Sequence, residues 1–254
     1  MPPIRFAVKP LLIISLLTLG PLASCEKKEE SAPVMIDYTI PPGAPRAAAA
    51  AANVRPALQR DLTALGLKFG DPVFIRAFKE EAQLELLVRN RATGKFEHFR
   101  TYPIAAASGT LGPKLLEGDG QVPEGCYSVP PAAMKPDSQF HLSFNIGFPN
   151  EFDRAHQRTG TAIMIHGNQV SIGCLAMTDE KIEEIYTLCA AALGGGQPSF
   201  RVHIFPFRMT AERMHKATGN SNEAFWKNLK QGYDLFEKNH IPPEVAVGGK
   251  LYQF

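Results

Sequence analysis

His166 and Cys174, eight positions apart, are the residue types from which a thiol acyl-transfer site is built. A free cysteine thiol ionises near pH 8.5 and needs a neighbouring imidazole to act as a nucleophile at neutral pH. The order along the chain is Ala162-Ile163-Met164-Ile165-His166-Gly167, then a short turn Asn168-Gln169-Val170-Ser171, then Ile172-Gly173-Cys174-Leu175-Ala176-Met177. An apolar, strand-like run therefore delivers the histidine. The turn is short enough to bring the cysteine back beside it, at the start of an expected helix. An imidazolium there would favour the thiolate, and Gly173 would leave backbone N–H groups open to the oxyanion of a tetrahedral intermediate. Spacing by itself does not separate this pair from two unrelated core residues.

The elements that must position the pair change period along the chain. From Pro72 the period is two: residues 73–78, 84–88 and 96–100 read as strands, joined by turn chemistry such as Asn90-Arg91-Ala92-Thr93-Gly94. Residues 104–107 and 125–129 read as further strands, with glycine-rich turns at 108–113 and 117–120 between them. After Thr178 the pattern turns helical over 179–193, 211–218 and 223–238, the last with Phe225, Leu229, Tyr233 and Phe236 on one side. Thr178 is the expected N-cap, with Asp179 and Glu180 complementing the helix dipole. The alanine run 47–52, continued by Val54, Leu58, Leu62 and Leu65, predicts a helix up to Gly66, with Pro56 in its first turn or splitting it. The fold class is α+β, mostly β as a sandwich or barrel with flanking helices.

The chain has 254 residues, 44% hydrophobic and 20% charged, enough for one domain with a sizeable core. Residues 1–24 read as a secretory leader: Arg5 and Lys9 precede an apolar run over 11–19, too short for a membrane span of roughly 20 residues. Without Arg5 and Lys9 the charges balance, which argues against a nucleic-acid partner. The leader ends in Leu22-Ala23-Ser24-Cys25, which resembles a bacterial lipobox. The lipobox implies cleavage before Cys25 and acylation of that residue, hence a lipid-anchored periplasmic protein, with Glu26 favouring the outer membrane. Residues 25–54 then form a Pro- and Ala-rich tether. Four cysteines are too few for a disulfide scaffold, and Cys126 and Cys189 are expected as free thiols, Cys189 on an apolar helix face.

Several stretches together resemble the L,D-transpeptidase catalytic domain (YkuD domain), and within it the YafK-like murein subgroup. They are Leu111-Gly112-Pro113-Lys114, Glu117-Gly118-Asp119-Gly120-Gln121, Pro123-Glu124-Gly125, the run from Phe140 through Asn150, Asp153-Arg154-Ala155-His156, His166-Gly167 and Ser171-Ile172-Gly173-Cys174. The resemblance implies a YkuD-like core over 55–209, a helical extension over 210–254 and no cofactor. It implies Cys174 as nucleophile, His166 as general acid and base, the Gly167 carbonyl orienting His166, and N–H groups of Gly173 and Cys174 as oxyanion donors. The implied substrate is a peptidoglycan stem peptide, attacked at the L,D-bond after its third residue, with a thioester passed to an amine or to water. A murein-linked lipoprotein is an implied partner, hydrolysis is the alternative outcome, and a non-catalytic murein-binding lipoprotein is the alternative of another class. Ile172 stands where the general family pattern has a second histidine, and Ala176 where it has an arginine. Arg154, Arg158 or Lys114 would then meet the substrate carboxylate, with His156 and Ser171 also lining the cleft. No metal is expected, since neither His-Glu-x-x-His nor Cys-x-x-Cys occurs.

Overall fold

The computed structural model describes residues 39–40 and 42–254. The expected leader, Cys25, Glu26 and the first part of the tether lie outside the described residues. Among the described residues no helix is long and apolar enough to cross a membrane.

The first element is α1 (Ala44–Ala64), which opens on Pro45 and buries Ala50, Val54, Leu58 and Leu62 along one stripe. It starts before the alanine run and passes Pro56 without breaking. Residues 44–54 therefore pack with the body, and the tether expected to reach 54 stops short of the helix. Strands β1 (Val73–Phe78), β2 (Gln83–Arg89) and β3 (Phe96–Pro103) follow as an antiparallel meander. The single strand expected over 104–107 is absent: β3 runs to Pro103 and β4 is only Ala106–Ala107. Next come β5 (Gly125–Val129), β6 (Met134–Lys135), β7 (Ser143–Asn145) and a short helix α2 (Glu151–Ala155). Asn150 and Asp153 form a reciprocal capping box on α2. Strands β8 (Met164–His166) and β9 (Leu175–Ala176) lead into α3 (Asp179–Gly194), β10 (Phe200–Phe205), α4 (Ala211–Lys216), α5 (Glu223–Asn239) and the hairpin β11 (Ala246–Gly248)–β12 (Leu251–Gln253).

Two five-stranded sheets result, ordered β3-β2-β1-β10-β5 and β4-β9-β8-β7-β6. Each contains one parallel pair, β1 with β10 and β8 with β9. A shared apolar core joins them to α1 and α3: Ile75, Leu86, Val202 and Ile204 from the first sheet, Phe144, Ile165 and Leu175 from the second, and Leu58, Ile182 and Leu188 from the helices. The other face of the first sheet carries Phe78 and Phe205, covered by Trp226, Leu229 and Tyr233 of α5 and by Phe152 and Tyr252. Burying each such side chain contributes about 1.5–3 kcal/mol. The C-terminal elements thus pack beneath the first sheet. Cys126 and Cys189 are free, one against each of these two cores.

Candidate active site

The histidine and the cysteine sit on the parallel pair of the second sheet. The register matches Ile165 to Leu175 and His166 to Ala176. Carried back one residue, it sets Cys174 against Met164, and the Met164 N–H donates to the cysteine sulfur at 3.4 Å. Side chains alternate along a strand, so Met164, His166, Cys174 and Ala176 share one face and His166 is the diagonal neighbour of Cys174. Parallel strands are usually joined by a crossover of a dozen or more residues; here residues 167–174 suffice because Asn168 (φ 64°) and Gly173 (φ 88°) take left-handed conformations. Cys174 does not open a helix as expected. It precedes β9, and α3 begins at Asp179.

His166 is 2% exposed. Its Nδ1 lies 2.5 Å from the Gly167 carbonyl oxygen. A carbonyl only accepts, so Nδ1 carries the proton and the lone pair of the neutral ring is on Nε2. The Phe140 ring packs on the imidazole at 4.7 Å between centroids. Burial pushes the imidazole below its ordinary pKa, opposed by the Gly167 hydrogen bond and the Asp179 charge.

Burial raises the Cys174 thiol above its ordinary value, with the Met164 N–H and the Lys114 ammonium pulling it back. Its sulfur also lies 3.9 Å from the Ala162 carbonyl oxygen, to which the S–H can donate. Among the described residues no hydrogen bond joins this sulfur to His166. Both directions favour the uncharged thiol and imidazole over the expected thiolate–imidazolium pair. Such catalytic hydrogen bonds tighten when substrate binds.

The expected oxyanion donors are engaged. The Gly173 N–H, turned inward by the positive φ, donates to Ser108 Oγ at 2.6 Å, and Ser108 in turn donates to the Gly120 carbonyl at 2.6 Å. The Cys174 N–H donates to Ser171 Oγ at 3.0 Å, and the same hydroxyl donates back to the Cys174 carbonyl at 2.5 Å. Either N–H can receive an oxyanion only after its serine turns aside. Ser171 Oγ braces the turn that carries Cys174.

The residues expected to replace the missing arginine have structural partners. Lys114 is buried, with its ammonium on Asp119 (2.6 Å) and the Leu116 carbonyl (2.8 Å), and it reaches Cys174 as a field. Asp119 is raised by burial but held down at about 2 overall by Lys114 and by the N–H groups of Leu116, Leu115 and Gln121. Arg158 is buried, bonded to Asp153 at 2.8 Å and set beside the mutually stacked rings of Phe152 and Phe225, 5.0 and 4.9 Å from their centroids. His156 lies on Phe152 with Nδ1 at 2.9 Å from its carbonyl. Arg154 bonds the Pro149 carbonyl and lines a cavity of about 440 Å³ with Cys126, Asn150, Arg201 and Tyr252, away from Cys174. His141 and Glu183 pair at 2.8 Å. Among the described residues no group of three His, Cys, Asp or Glu side chains could hold a metal ion.

Three contributors went unread in the sequence. Ser108 was one more polar residue in a glycine-rich turn, Phe140 an aromatic in an unassigned loop, and Asp179 a helix-start acid. The Ser-Gly step at 108–109 carries only a turn signal, and nothing local to any of them points 11 to 65 residues along the chain.

A cysteine and a histidine on adjacent strands of a mixed sheet, beside a glycine turn, have the residue order of a known class. The L,D-transpeptidase catalytic domain family (YkuD) matches residues 73–204, and the chain belongs to this family. It is 47% identical over 183 residues to the protein named "Putative L,D-transpeptidase YafK" from Escherichia coli strain K12, covering 72% of this chain and 74% of that one, with the same figures for the O157:H7 counterpart. Among solved structures it resembles a mutant of the helical cell shape determining protein Pgp2 from Campylobacter jejuni, at 18% identity and a TM-score of 0.44 over 71% of this chain. The chain spans 63% of that structure's length.

Proposed function

We propose that the protein is a cysteine L,D-transpeptidase of the periplasm, tethered by lipid at Cys25, that acts on peptidoglycan stem peptides. The observation that carries this reading is the bond from His166 Nδ1–H to the Gly167 carbonyl, because it leaves Nε2 as a base on the face that Cys174 shares. As the Cys174 sulfur attacks the carbonyl carbon of the L,D-amide, Nε2 takes the thiol proton. The C–N bond then breaks, and the imidazolium returns that proton to the amine of the departing D-amino acid. An acceptor amine attacks the thioester, gives its proton to Nε2, and the thiol is restored as the C–S bond breaks. Water in place of the amine gives hydrolysis.

Intact-protein mass spectrometry after exposure to a disaccharide-tetrapeptide tests the reading. The expected result is a mass gain on Cys174 equal to the acyl stem, absent in Cys174→Ala, with cross-linked dimer among the products. Shortened stems without dimer would assign the site to hydrolysis. No adduct, with substrate or with a carbapenem, would revive the non-catalytic murein-binding alternative. Retention of Cys25→Ala in the membrane fraction would overturn the anchor.

A further inference from the structure

Resting on the reading of His166 as the base at Cys174, we propose that Asp179 is the distal acid of the site, a positioning residue that acts on the imidazole through the Gly167–Asn168 peptide unit. One peptide group carries both bonds: its carbonyl oxygen accepts from His166 Nδ1 at 2.5 Å, and its N–H donates to Asp179 Oδ1 at 2.6 Å. A carboxylate on the N–H draws that proton toward itself and adds electron density to the carbonyl oxygen, which becomes a stronger acceptor for Nδ1–H. The carboxylate thus favours the imidazolium that forms during acylation without touching the ring.

The surrounding backbone is arranged to hold this contact. The Met177 N–H donates to the His166 carbonyl at 2.8 Å, and the Thr178 N–H donates to the Asn168 carbonyl at 2.9 Å. Asn168 and Thr178 both take positive φ, 64° and 69°. The Thr178 side chain makes no cap on α3, so its part here is backbone geometry. Gly167 is demanded by space: a Cβ there would lie 2.5 Å from Asp179 Oδ1 and 2.8 Å from the Phe140 carbonyl oxygen. Its absence lets the carboxylate lie against the peptide. Asp179 opens the first turn of the 16-residue α3.

The other charged groups on α3 are placed differently. Glu180 is exposed, Lys181 hydrogen-bonds Thr178 Oγ1, Glu183 pairs with His141 from the loop before β7, and Glu184 holds Arg100 and the Tyr102 hydroxyl. Phe140 packs on the ring from that loop and brings no charge.

Asp179→Asn keeps an oxygen for the Asn168 N–H and removes the charge. NMR titration of the His166 ring should show the imidazole pKa lower by about one unit in Asp179→Asn. Glu180→Gln, which removes a charge from the same helix turn, should titrate as the parent does. Carbapenem acylation of Asp179→Asn should slow about tenfold with binding unchanged. In the unsubstituted protein, the Asn168 amide proton should shift with the same midpoint as the imidazole, a readout that needs no variant. An unchanged His166 titration in folded Asp179→Asn, or an Asn168 amide that stays flat through the transition, overturns the proposal. The titrations use no substrate, so a protein that shows them yet forms no thioester would overturn the function and leave the relay standing.

Discussion

The indole N–H of Trp226 donates to Glu124 at 2.7 Å, and the other oxygen of that carboxylate takes the Gly112 N–H at 2.6 Å. Lys79 adds a buried ion pair at 3.0 Å. Helix α5 is in this way tied to the 108–121 loop, whose Ser108 and Gln121 back the turn at Gly173. Trp226→Phe keeps the ring and removes the N–H, leaving a buried carboxylate short of a donor. A loss of about 1–3 kcal/mol is expected, read as a Tm lower by several degrees. An unchanged Tm would mean that the indole only fills space.

Burial pulls His203 down to about 3, with the Arg201 and Arg76 charges acting the same way, and its Nε2 has no partner among the described residues. Its folded pKa is therefore below the unfolded value near 6.5, and the unfolded chain binds the extra proton between these limits. This contribution to stability is intact above pH 6.5 and falls by up to about 1.4 kcal/mol per pH unit as the pH drops toward 3. His203→Phe suits the aromatic neighbours Phe74 and Phe205 and should flatten the fall. Urea midpoints at pH 7 and pH 4 test this; equal drops in both proteins would refute it.

Carbapenem acylation should rise with pH along a limb whose midpoint lies below 6.5, because burial holds the His166 imidazole low and only the neutral ring accepts the thiol proton. The raised Cys174 thiol keeps the resting pair uncharged through neutrality, so the rate should then level off. His166→Gln should lose about 10²–10⁴ in rate together with the limb. A midpoint at or above 6.5 would contradict the buried-base picture.

Ser171→Ala removes both hydroxyl contacts to the Cys174 backbone. The turn should loosen, and kcat should fall about tenfold at nearly constant KM, since the loss is in aiming the sulfur. A rise in KM with kcat intact would instead return Ser171 to the substrate.

Arg158→Met should cost about 3–5 kcal/mol, because it strands the buried Asp153 carboxylate, while Arg154→Met should stay within about 0.5 kcal/mol. Neither should alter KM for a stem peptide. Chemical unfolding and steady-state kinetics on the same preparations separate these effects. A higher KM in folded Arg158→Met would restore it as a carboxylate contact.

What could be read in advance was local. The β1–β3 meander and helices α3 and α5 fall within a few residues of the expected bounds, because alternation and a one-sided apolar stripe are written into consecutive residues. The His166-Gly167 and Gly173-Cys174 steps were legible as a motif and their nearness followed from the short turn, but the cysteine was expected at a helix start and instead precedes β9. Pairing β1 with β10 was not legible, since Phe74 meets Arg201 across half the length of the chain. The occupied N–H group of Gly173 was invisible for the same reason, as Ser108 arrives from another strand's end, whereas the Cys174 N–H is taken by Ser171 only three residues away. The ion pairs of Lys114 with Asp119 and of Arg158 with Asp153 were not legible either, because charge type reveals nothing about a buried partner. The hairpin β11–β12 was missed because each strand is only three residues long.

Cys126 and Cys189 have their thiols driven far above the ordinary range by burial, whereas Cys174 is raised less and has Lys114 and the Met164 N–H working against the rise. Among the described residues Cys174 is thus the thiol least penalised on ionising. A maleimide dye or a spin label offered under mild conditions should meet less resistance there than at Cys126 or Cys189, which makes it the natural seat for a reporter of cleft occupancy.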